Sequence, residues 1–187
     1  MRVNETFISL QGEGHFTGTP VFFLRLSGCN LQCSFCDTNH QSFKELGEDE
    51  IVEEASREKP RHIVITGGEP ALQLTQSLVD KLHEAGFFIQ VETNGTLPLP
   101  KGIDWITCSP KGEPVLESVD ELKVLYEGEG TDLSIADQIQ AKEYRLQPLD
   151  TGDEIRNRII VRDTIAYILQ HPKWSLSLQT HKMLGIK

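Results

Sequence analysis

Short apolar segments alternate with amphipathic segments along this 187-residue sequence, and this alternation is the strongest constraint on its fold. Segments 21–28, 62–66 and 87–93 are rich in Val, Ile and Phe, which is typical of buried strands. Segments 48–60 and 72–86 carry apolar residues at helical spacing. Strands that alternate with helices favour a mostly parallel sheet. Because a closed eight-stranded barrel needs about 250 residues, we expect an α/β fold that forms an open, incomplete (βα) barrel with reduced helices.

The rest of the chain continues the pattern and predicts one domain. Further strands are expected at 104–110, 121–128, 144–150 and 174–180, and a further helix at 153–172. No repeat or Pro-rich linker interrupts the sequence, so residues 1–187 are expected to fold as a single domain. Segment 112–143 is the least informative; it favours a short helix with loops and offers no further chemistry.

Composition excludes two broad classes of partner. The 18 Lys and Arg residues against 28 Asp and Glu give a net charge of −10, which disfavours a general nucleic-acid binder. No segment approaches the roughly 20 apolar residues that a membrane helix needs, and the first residues do not resemble a signal peptide. We therefore expect a cytoplasmic protein. Thiols stay reduced there, so clustered cysteines indicate a metal site or catalysis rather than disulfides.

Three cysteines form a C-x3-C-x2-C loop directly after the predicted strand 21–28: Cys29, Cys33 and Cys36. Three thiolates can hold three irons of a [4Fe–4S] cluster and leave the fourth iron open to a small molecule. Cys108, His15 or His40 could instead complete a closed four-ligand site, and the chain would then be a structural zinc module. Other chemically suited residues lie at the carboxyl ends of predicted strands, at Gly67, at 92–95 and at 108–110. Parallel sheets place their active sites at that end.

Two motifs give the chain a resemblance to a known superfamily. The cysteine loop, with Phe35 before its third cysteine, and "TGGEP" at 66–70 resemble the radical S-adenosylmethionine (SAM) superfamily. The resemblance implies a barrel of the radical SAM type in which the methionine part of SAM binds the open iron. It also implies that Gly67 and Gly68 let the backbone approach the ligand and that Phe35 lies against the adenine. The reaction would proceed through a 5′-deoxyadenosyl radical.

Longer stretches from the first to the last residues resemble the 7-carboxy-7-deazaguanine synthase family: 7–38, 92–96, 108–112, 121–128, 146–150 and 176–187. The resemblance implies radical ring contraction of 6-carboxy-5,6,7,8-tetrahydropterin with loss of ammonia, a step of queuosine and 7-deazapurine biosynthesis. It implies these substrate contacts: Leu10, Gln11, Gly12, Glu13, Arg25, Thr66, His181 and Lys187. Gln11 and Glu13 suit the amide and amino groups of a pterin, and the Arg25 guanidinium suits its carboxylate.

The same resemblance implies the cofactor contacts and the partners. The SAM-binding residues would be Phe35, Cys36, Asp37, Gly68, Glu92, Cys108, Ser109, Pro110, Gln147, Pro148, Leu149 and Asp150. A Mg²⁺ ion would bind the Thr38 hydroxyl together with substrate oxygens. The chain would form a homodimer and would receive electrons from a flavodoxin-type or ferredoxin-type donor.

Two alternatives remain beside this interpretation. A glycyl-radical-enzyme activating enzyme shares the cysteine loop and the GGEP motif, but it acts on a protein and leaves Gln11, Glu13 and Arg25 without a role. The zinc module described above needs a fourth protein ligand for its metal.

Overall fold

The structure, a computed structural model, describes residues 1–33, 36 and 42–187. Within them the strands are β1 Arg2–Leu10, β2 Pro20–Leu26, β3 Lys44–Glu45, β4 His62–Gly67, β5 Phe88–Thr93, β6 Trp105–Cys108, β7 Ser118–Tyr126, β8 Gln140–Pro148 and β9 Trp174–Leu176. The helices are α1 Glu48–Ser56, α2 Gln76–Glu84, α3 Ile135–Gln138, α4 Glu154–Gln170 and α5 Thr180–Leu184. A 3-10 turn covers Pro70–Leu72. None of the described helices is long and apolar enough to cross a membrane.

All of these strands belong to one sheet with the spatial order β3-β1-β2-β4-β5-β6-β7-β8-β9. From β2 to β9 each neighbouring pair is parallel, whereas β1 pairs antiparallel with both β2 and β3. The described connections from β5 to β6 and from β6 to β7 contain no helix. The predicted fold class, an open α/β barrel with reduced helices, is therefore confirmed.

Alternation along the strands separates two faces of the sheet. On β4, Ile63 and Ile65 are fully buried in the cluster formed with α1 and α2. Val64 points the other way and packs with Phe23 of β2. A second apolar cluster packs α3 and α4 on β7 and β8. Both main hydrophobic clusters thus lie under the helices, and the concave face of the sheet is left for polar side chains.

The first strand was not predicted, although it decides how the interior is closed. Most residues of β1 are only half-buried and several are polar, because the strand lies near an edge, so no clear period-2 pattern appears in the sequence. After Leu10 the chain makes a compact loop, with the Gln11 N–H donating to the Thr19 carbonyl and the Gly18 N–H donating to that of Gln11, both at 2.8 Å.

That loop plugs the amino-terminal end of the parallel strands. The ring of Phe16 makes edge contacts with the rings of His62, Phe88 and Trp105, which are the first residues of β4, β5 and β6. His15 stacks on Trp105 with ring centroids 4.4 Å apart. The concave interior is therefore closed at this end and leaves its opposite end for ligands.

Several predicted element boundaries differ from the structure: the helix predicted at 48–60 ends at Ser56, and the strands predicted at 121–128 and 144–150 begin at Ser118 and Gln140. The helix expected at 72–86 begins only at Gln76, because Thr75 caps it by accepting a hydrogen bond from the Leu78 N–H at 3.1 Å. The strand expected at 174–180 ends at Leu176, and α5 begins at Thr180.

Because α2 packs on the sheet, truncating a leucine on its buried face should lower the free energy of unfolding more than truncating an exposed leucine elsewhere. Leu78 is fully buried, so Leu78→Ala should lower the free energy of unfolding by about 2–5 kcal/mol. The matched control is Leu169→Ala on α4, where the side chain is 80% exposed and the expected change is under about 0.5 kcal/mol. Urea denaturation followed by circular dichroism measures both, and equal losses would contradict this packing.

Candidate functional site

One cavity of about 300 Å³ opens on the concave face, at the carboxyl ends of the parallel strands. It is lined by every residue expected to contact substrate: Leu10, Gln11, Gly12, Glu13, Arg25, Thr66, His181 and Lys187. It is also lined by the three loop cysteines and by several residues expected to contact SAM: Cys29, Cys33, Cys36, Gly68, Glu92, Ser109, Gln147, Leu149 and Asp150. Residues from both ends of the chain and from most of its strands thus meet at one site.

The other expected contacts fall outside this lining. Cys108, Pro110 and Pro148 are not among the lining residues, although Ser109, Gln147 and Leu149 beside them are. Their contacts with SAM stay a prediction. Three further expected residues, Phe35, Asp37 and Thr38, lie outside the described part of the chain, as does the alternative metal ligand His40.

The turn after β4 packs tightly against the start of the cysteine loop. The Gly68 N–H donates to the Leu26 carbonyl and the Glu69 N–H donates to the Gly28 carbonyl, each at 2.9 Å. Gly67 has a φ of +110°, and a Cβ at Gly68 would lie 1.9 Å from the Gly28 oxygen. Glycine is required at both positions, and this requirement brings backbone atoms of the turn to the cavity wall beside the cysteines.

Glu69 of the GGEP motif fixes the end of the neighbouring strand. Its carboxylate is fully buried and accepts hydrogen bonds from the Thr93 hydroxyl and the Asn94 N–H, both at 2.7 Å. A third bond comes from the Ala71 N–H at 3.0 Å. Thr93 ends β5 and Asn94 follows it, while Ala71 lies in the 3-10 turn after β4, so Glu69 holds the β4 and β5 ends together. No role for Glu69 was predicted from the sequence.

A polar chain continues from that strand end to the cysteine loop. The Asn94 side-chain amide donates to the Asn30 oxygen at 3.1 Å, and Asn30 donates to the Thr96 hydroxyl at 2.8 Å. Asn30 directly follows Cys29, so the "ETNGT" segment and the first cysteine are positioned by the same side chains.

The thiols fall into two classes. Cys29 and Cys33 are half-buried and Cys36 is exposed, whereas Cys108 is fully buried. Burial, with the Glu69 carboxylate nearby, raises the pKa of the Cys108 thiol to about 12. No three metal-ligating side chains of the described residues are arranged as a ready metal site, so a bound cluster would have to draw the three loop thiols together.

His15 is also placed away from the cysteines. It lies in the loop that closes the opposite end of the interior, where its Nδ1 contacts Glu143 at 2.7 Å. Among the residues that the structure describes, Cys108 is enclosed and His15 is distant, so the three loop thiols form a donor set that fits an iron–sulfur cluster with one open iron.

A buried ion cluster lies in the wall of the cavity. The Lys123 ammonium contacts Glu13 at 2.5 Å and Glu92 at 2.9 Å, and the lysine side chain is only 4% exposed. Burial by itself would lower the pKa of Lys123, but the two carboxylates hold it above its usual range. Burial by itself would raise the pKa of Glu13, but Lys123 and a hydrogen bond from Gln179 bring it to about 2.

Lys123 is a site residue that the sequence analysis did not identify. It is the charged residue in the otherwise apolar run "LKVLY", a signal of the same kind as Arg25 in β2. A buried cation needs a partner, and that argument could have been applied to both residues.

The strands β1 and β2 carry a second group of charges together with the last residue of the chain. Arg25 contacts Glu5 at 3.1 Å, and the Lys187 ammonium contacts the same carboxylate. Both cations also lie over the ring of Phe7. Two cations therefore share the Glu5 carboxylate at the cavity wall. The Lys187 carbonyl accepts a hydrogen bond from the Ser9 hydroxyl at 2.6 Å.

Helix α5 holds the loop that follows β1. The Thr180 N–H and hydroxyl both donate to the Gly12 carbonyl at 2.9 Å. A Cβ at Gly12 would lie 2.2 Å from Nδ1 of His181, so the absence of a side chain there lets the histidine pack on the loop. His181 is thereby placed beside Gln11 and Glu13 at the cavity wall.

Comparisons with known proteins agree with this arrangement. A family model described as the radical SAM superfamily matches residues 24–122. The 7-carboxy-7-deazaguanine synthase of Bacteroides thetaiotaomicron is 47% identical over 100% of this chain and 98% of its own length. The 7-carboxy-7-deazaguanine synthase of Bradyrhizobium diazoefficiens is 39% identical over 99% of this chain and 98% of its own length. The crystal structure of QueE from Escherichia coli superposes with a TM-score of 0.80 at 30% identity, covering 96% of this chain and 94% of that one.

The similarity extends over the whole chain and includes both the cysteine loop and the strands that form the cavity. The chain belongs to the 7-carboxy-7-deazaguanine synthase family of the radical SAM superfamily.

Proposed function

We propose that this cavity converts 6-carboxy-5,6,7,8-tetrahydropterin into 7-carboxy-7-deazaguanine, by radical ring contraction with loss of ammonia. The observation that carries the proposal is that the three loop thiols and the polar loop at Gln11–Glu13 line the same cavity. Relatives over the full chain length carry the name of this activity. The class is a radical SAM lyase.

The donor set supports the family's cofactors. Cys29, Cys33 and Cys36 would hold a [4Fe–4S] cluster, and the glycine turn at Gly68 would meet the methionine part of SAM. When bound, these groups supply an electron and a 5′-deoxyadenosyl radical that removes a hydrogen atom from the substrate. The chain's own residues bind and orient the ligands and shield them from water.

Further cofactor contacts are part of the proposal. Glu92, at the end of β5, would accept hydrogen bonds from the ribose, while Ser109, Gln147, Leu149 and Asp150 would line the nucleoside. Cys108, Pro110 and Pro148 would contribute main-chain atoms, and Phe35, Cys36 and Asp37 would contact the adenine side. Support comes from the shared cavity wall of Glu92, Ser109 and Gln147.

The pterin ring and the carboxylate of the substrate would contact different groups of side chains. Gln11 and Glu13 suit the amide and amino groups of the pterin ring, with Thr66 and His181 beside them. The Arg25 guanidinium suits the substrate carboxylate, and the chain end at Lys187, which lines the same cavity, would also reach the substrate. Leu10 and Gly12 complete the loop. The plug formed by His15 and Phe16 keeps solvent from entering through the opposite end.

Magnesium and the partners complete the proposal. A Mg²⁺ ion would bind the Thr38 hydroxyl and oxygens of the substrate, as hard cations prefer. The exposed Cys36 supports electron delivery by a flavodoxin-type or ferredoxin-type protein. Exposed apolar side chains on α4, such as Ile155 and Leu169, support a homodimer. A cytoplasmic location suits reduced thiols.

Neither alternative gains support from an observation. A structural zinc site needs a fourth ligand; Cys108 is fully buried and His15 lies at the closed end of the interior, while His40 lies outside the described residues. An activating enzyme would leave the buried Glu13–Lys123–Glu92 cluster in its cavity without a function.

Anaerobic turnover is the direct test of the reaction. The reconstituted protein, given the carboxy-tetrahydropterin, SAM and a reductant, should release ammonia and 7-carboxy-7-deazaguanine, with a higher rate when Mg²⁺ is present. Liquid chromatography with mass spectrometry measures the product. A protein that cleaves SAM but leaves the pterin intact would overturn the proposed substrate.

Iron content tests the assignment of the cluster ligands. Cys33→Ser should abolish bound iron, whereas Cys108→Ser should leave it unchanged because that thiol is fully buried. Iron loss in Cys108→Ser would instead indicate four protein ligands.

Thiol alkylation gives a second test of Cys108. With a pKa of about 12, Cys108 should resist alkylation by iodoacetamide at pH 8 in the folded protein, since the thiolate is the nucleophile.

Kinetics of an Arg25 variant test the carboxylate site. Arg25→Met removes the guanidinium and should raise KM for the substrate about ten-fold or more, because a hydrogen bond to a charged group contributes about 1.5–3 kcal/mol. The control is Arg57→Met, whose exposed partner is Glu53 on the same helix. An unchanged KM in Arg25→Met would show that the carboxylate binds elsewhere.

A further inference from the structure

Lys123 is buried in the middle of β7 with its side chain directed into the cavity wall. Its neighbours Leu122 and Val124 point to the opposite face and belong to the apolar cluster under α3 and α4. An isolated lysine would carry a large desolvation cost at such a position. Two carboxylates from different parts of the chain offset that cost, Glu13 from the loop after β1 and Glu92 from β5.

These groups close a ring of hydrogen bonds around the substrate loop. Lys123 donates to Glu92, and the other oxygen of Glu92 accepts from the Gln11 side-chain amide at 3.3 Å. The Gln11 side-chain oxygen accepts from the Glu13 N–H at 3.2 Å, and Lys123 donates to Glu13 at 2.5 Å. The ring therefore fixes which atom of Gln11 is the donor and holds Glu13 in one position.

The groups around Glu13 favour the ionised form of its carboxylate, which can only accept hydrogen bonds. Lys123 and Gln179 donate to its two oxygens, and His181 lies on α5 beside it. The nearby Glu121 on β7 accepts a hydrogen bond from the His15 N–H at 2.7 Å and lies 3.6 Å from Arg145, while burial raises its pKa above the usual range. An ionised carboxylate carries no hydrogen and can only accept, so what Glu13 offers to a ligand is oxygen lone pairs.

We propose that Lys123 is a positioning residue that sets substrate specificity: by bridging Glu13 and Glu92 it makes the loop at Gln11–Glu13 select a ligand edge that carries N–H donors. The pterin ring has such an edge, formed by its 2-amino group and the adjacent ring N–H. A lumazine, which carries a carbonyl oxygen in place of the 2-amino group, would turn an acceptor toward the carboxylate and be rejected. This inference rests on the proposed function, since it assumes that the ring binds at this loop.

The test compares two unreactive aromatic ligands, 6-carboxypterin and 6-carboxylumazine, on the anaerobically reconstituted protein with SAM at pH 7. Isothermal titration calorimetry gives both dissociation constants. The unaltered protein should bind the pterin about ten-fold or more tightly than the lumazine, as expected for a hydrogen bond to a charged group. In Lys123→Met the preference should fall to about two-fold or less, because Glu13 loses the cation that holds it in position and lowers its pKa.

A matched control and a conservative variant separate positioning from general stability. Lys142→Met makes the same substitution at an exposed lysine of β8 paired with Asp120, and it should keep the full preference. Lys123→Arg retains the charge and should restore most of the preference, which a loss of stability would not explain. Should Lys123→Met fail to fold or to hold iron, Lys123→Gln keeps a donor of similar length without the charge and should lower the preference at least about three-fold.

The outcomes distinguish this inference from the proposed function. If the unaltered protein binds neither ligand, the proposed substrate is wrong. If it prefers the pterin and the Lys123→Met or Lys123→Gln protein keeps that preference, the role of Lys123 is overturned while the proposed function stands. Equal affinity of the unaltered protein for both ligands would overturn the role assigned to Glu13 and Lys123 together.

Discussion

The site depends most on the hydrogen bonds that the buried Glu69 carboxylate accepts. This carboxylate accepts from the Thr93 hydroxyl and the Asn94 N–H, and so joins the turn after β4 to the end of β5. The same turn is hydrogen-bonded to the carbonyls of Leu26 and Gly28, where the cysteine loop begins. Three neighbouring strand ends are thus held in register by backbone groups and one side chain, and that arrangement brings the cysteines to the cavity.

The polar interior follows from the way the sheet is covered. Helices cover the convex face and bury its apolar side chains there, so the concave face does not need to supply the main core. Charged groups can occupy it where each finds a partner, as Lys123 does between Glu13 and Glu92. The loop with His15 and Phe16 then closes one end of the interior, which makes the polar face a cavity rather than an open groove.

Much of the fold was predictable because it depends on local patterns. The strands at 62–66 and 87–93 and the helix at 153–172 agree with β4, β5 and α4 within two residues at each end. The strand β1 was missed because a strand near the edge of the sheet, with mostly half-buried residues, has no strong periodicity. Among site residues, Arg25 was identified because a cation in an apolar strand is unusual, while Lys123 in a similar run was not. The sequence predicted no hydrogen bonds for Glu69, because its partners Thr93 and Asn94 are more than twenty residues away in the chain.

The sequence by itself determined the class of fold, the three-thiol loop and the family, because each is expressed in the spacing of residues close together along the chain. Only the tertiary structure decided which charges meet. The pairing of Lys123 with Glu13 spans 110 positions and that of Lys187 with Glu5 spans 182. It also decided that Cys108 is enclosed while the other thiols reach the cavity. Burial and charge compensation arise from long-range packing of the sheet, so they cannot be predicted from the spacing of residues that are close together in the sequence.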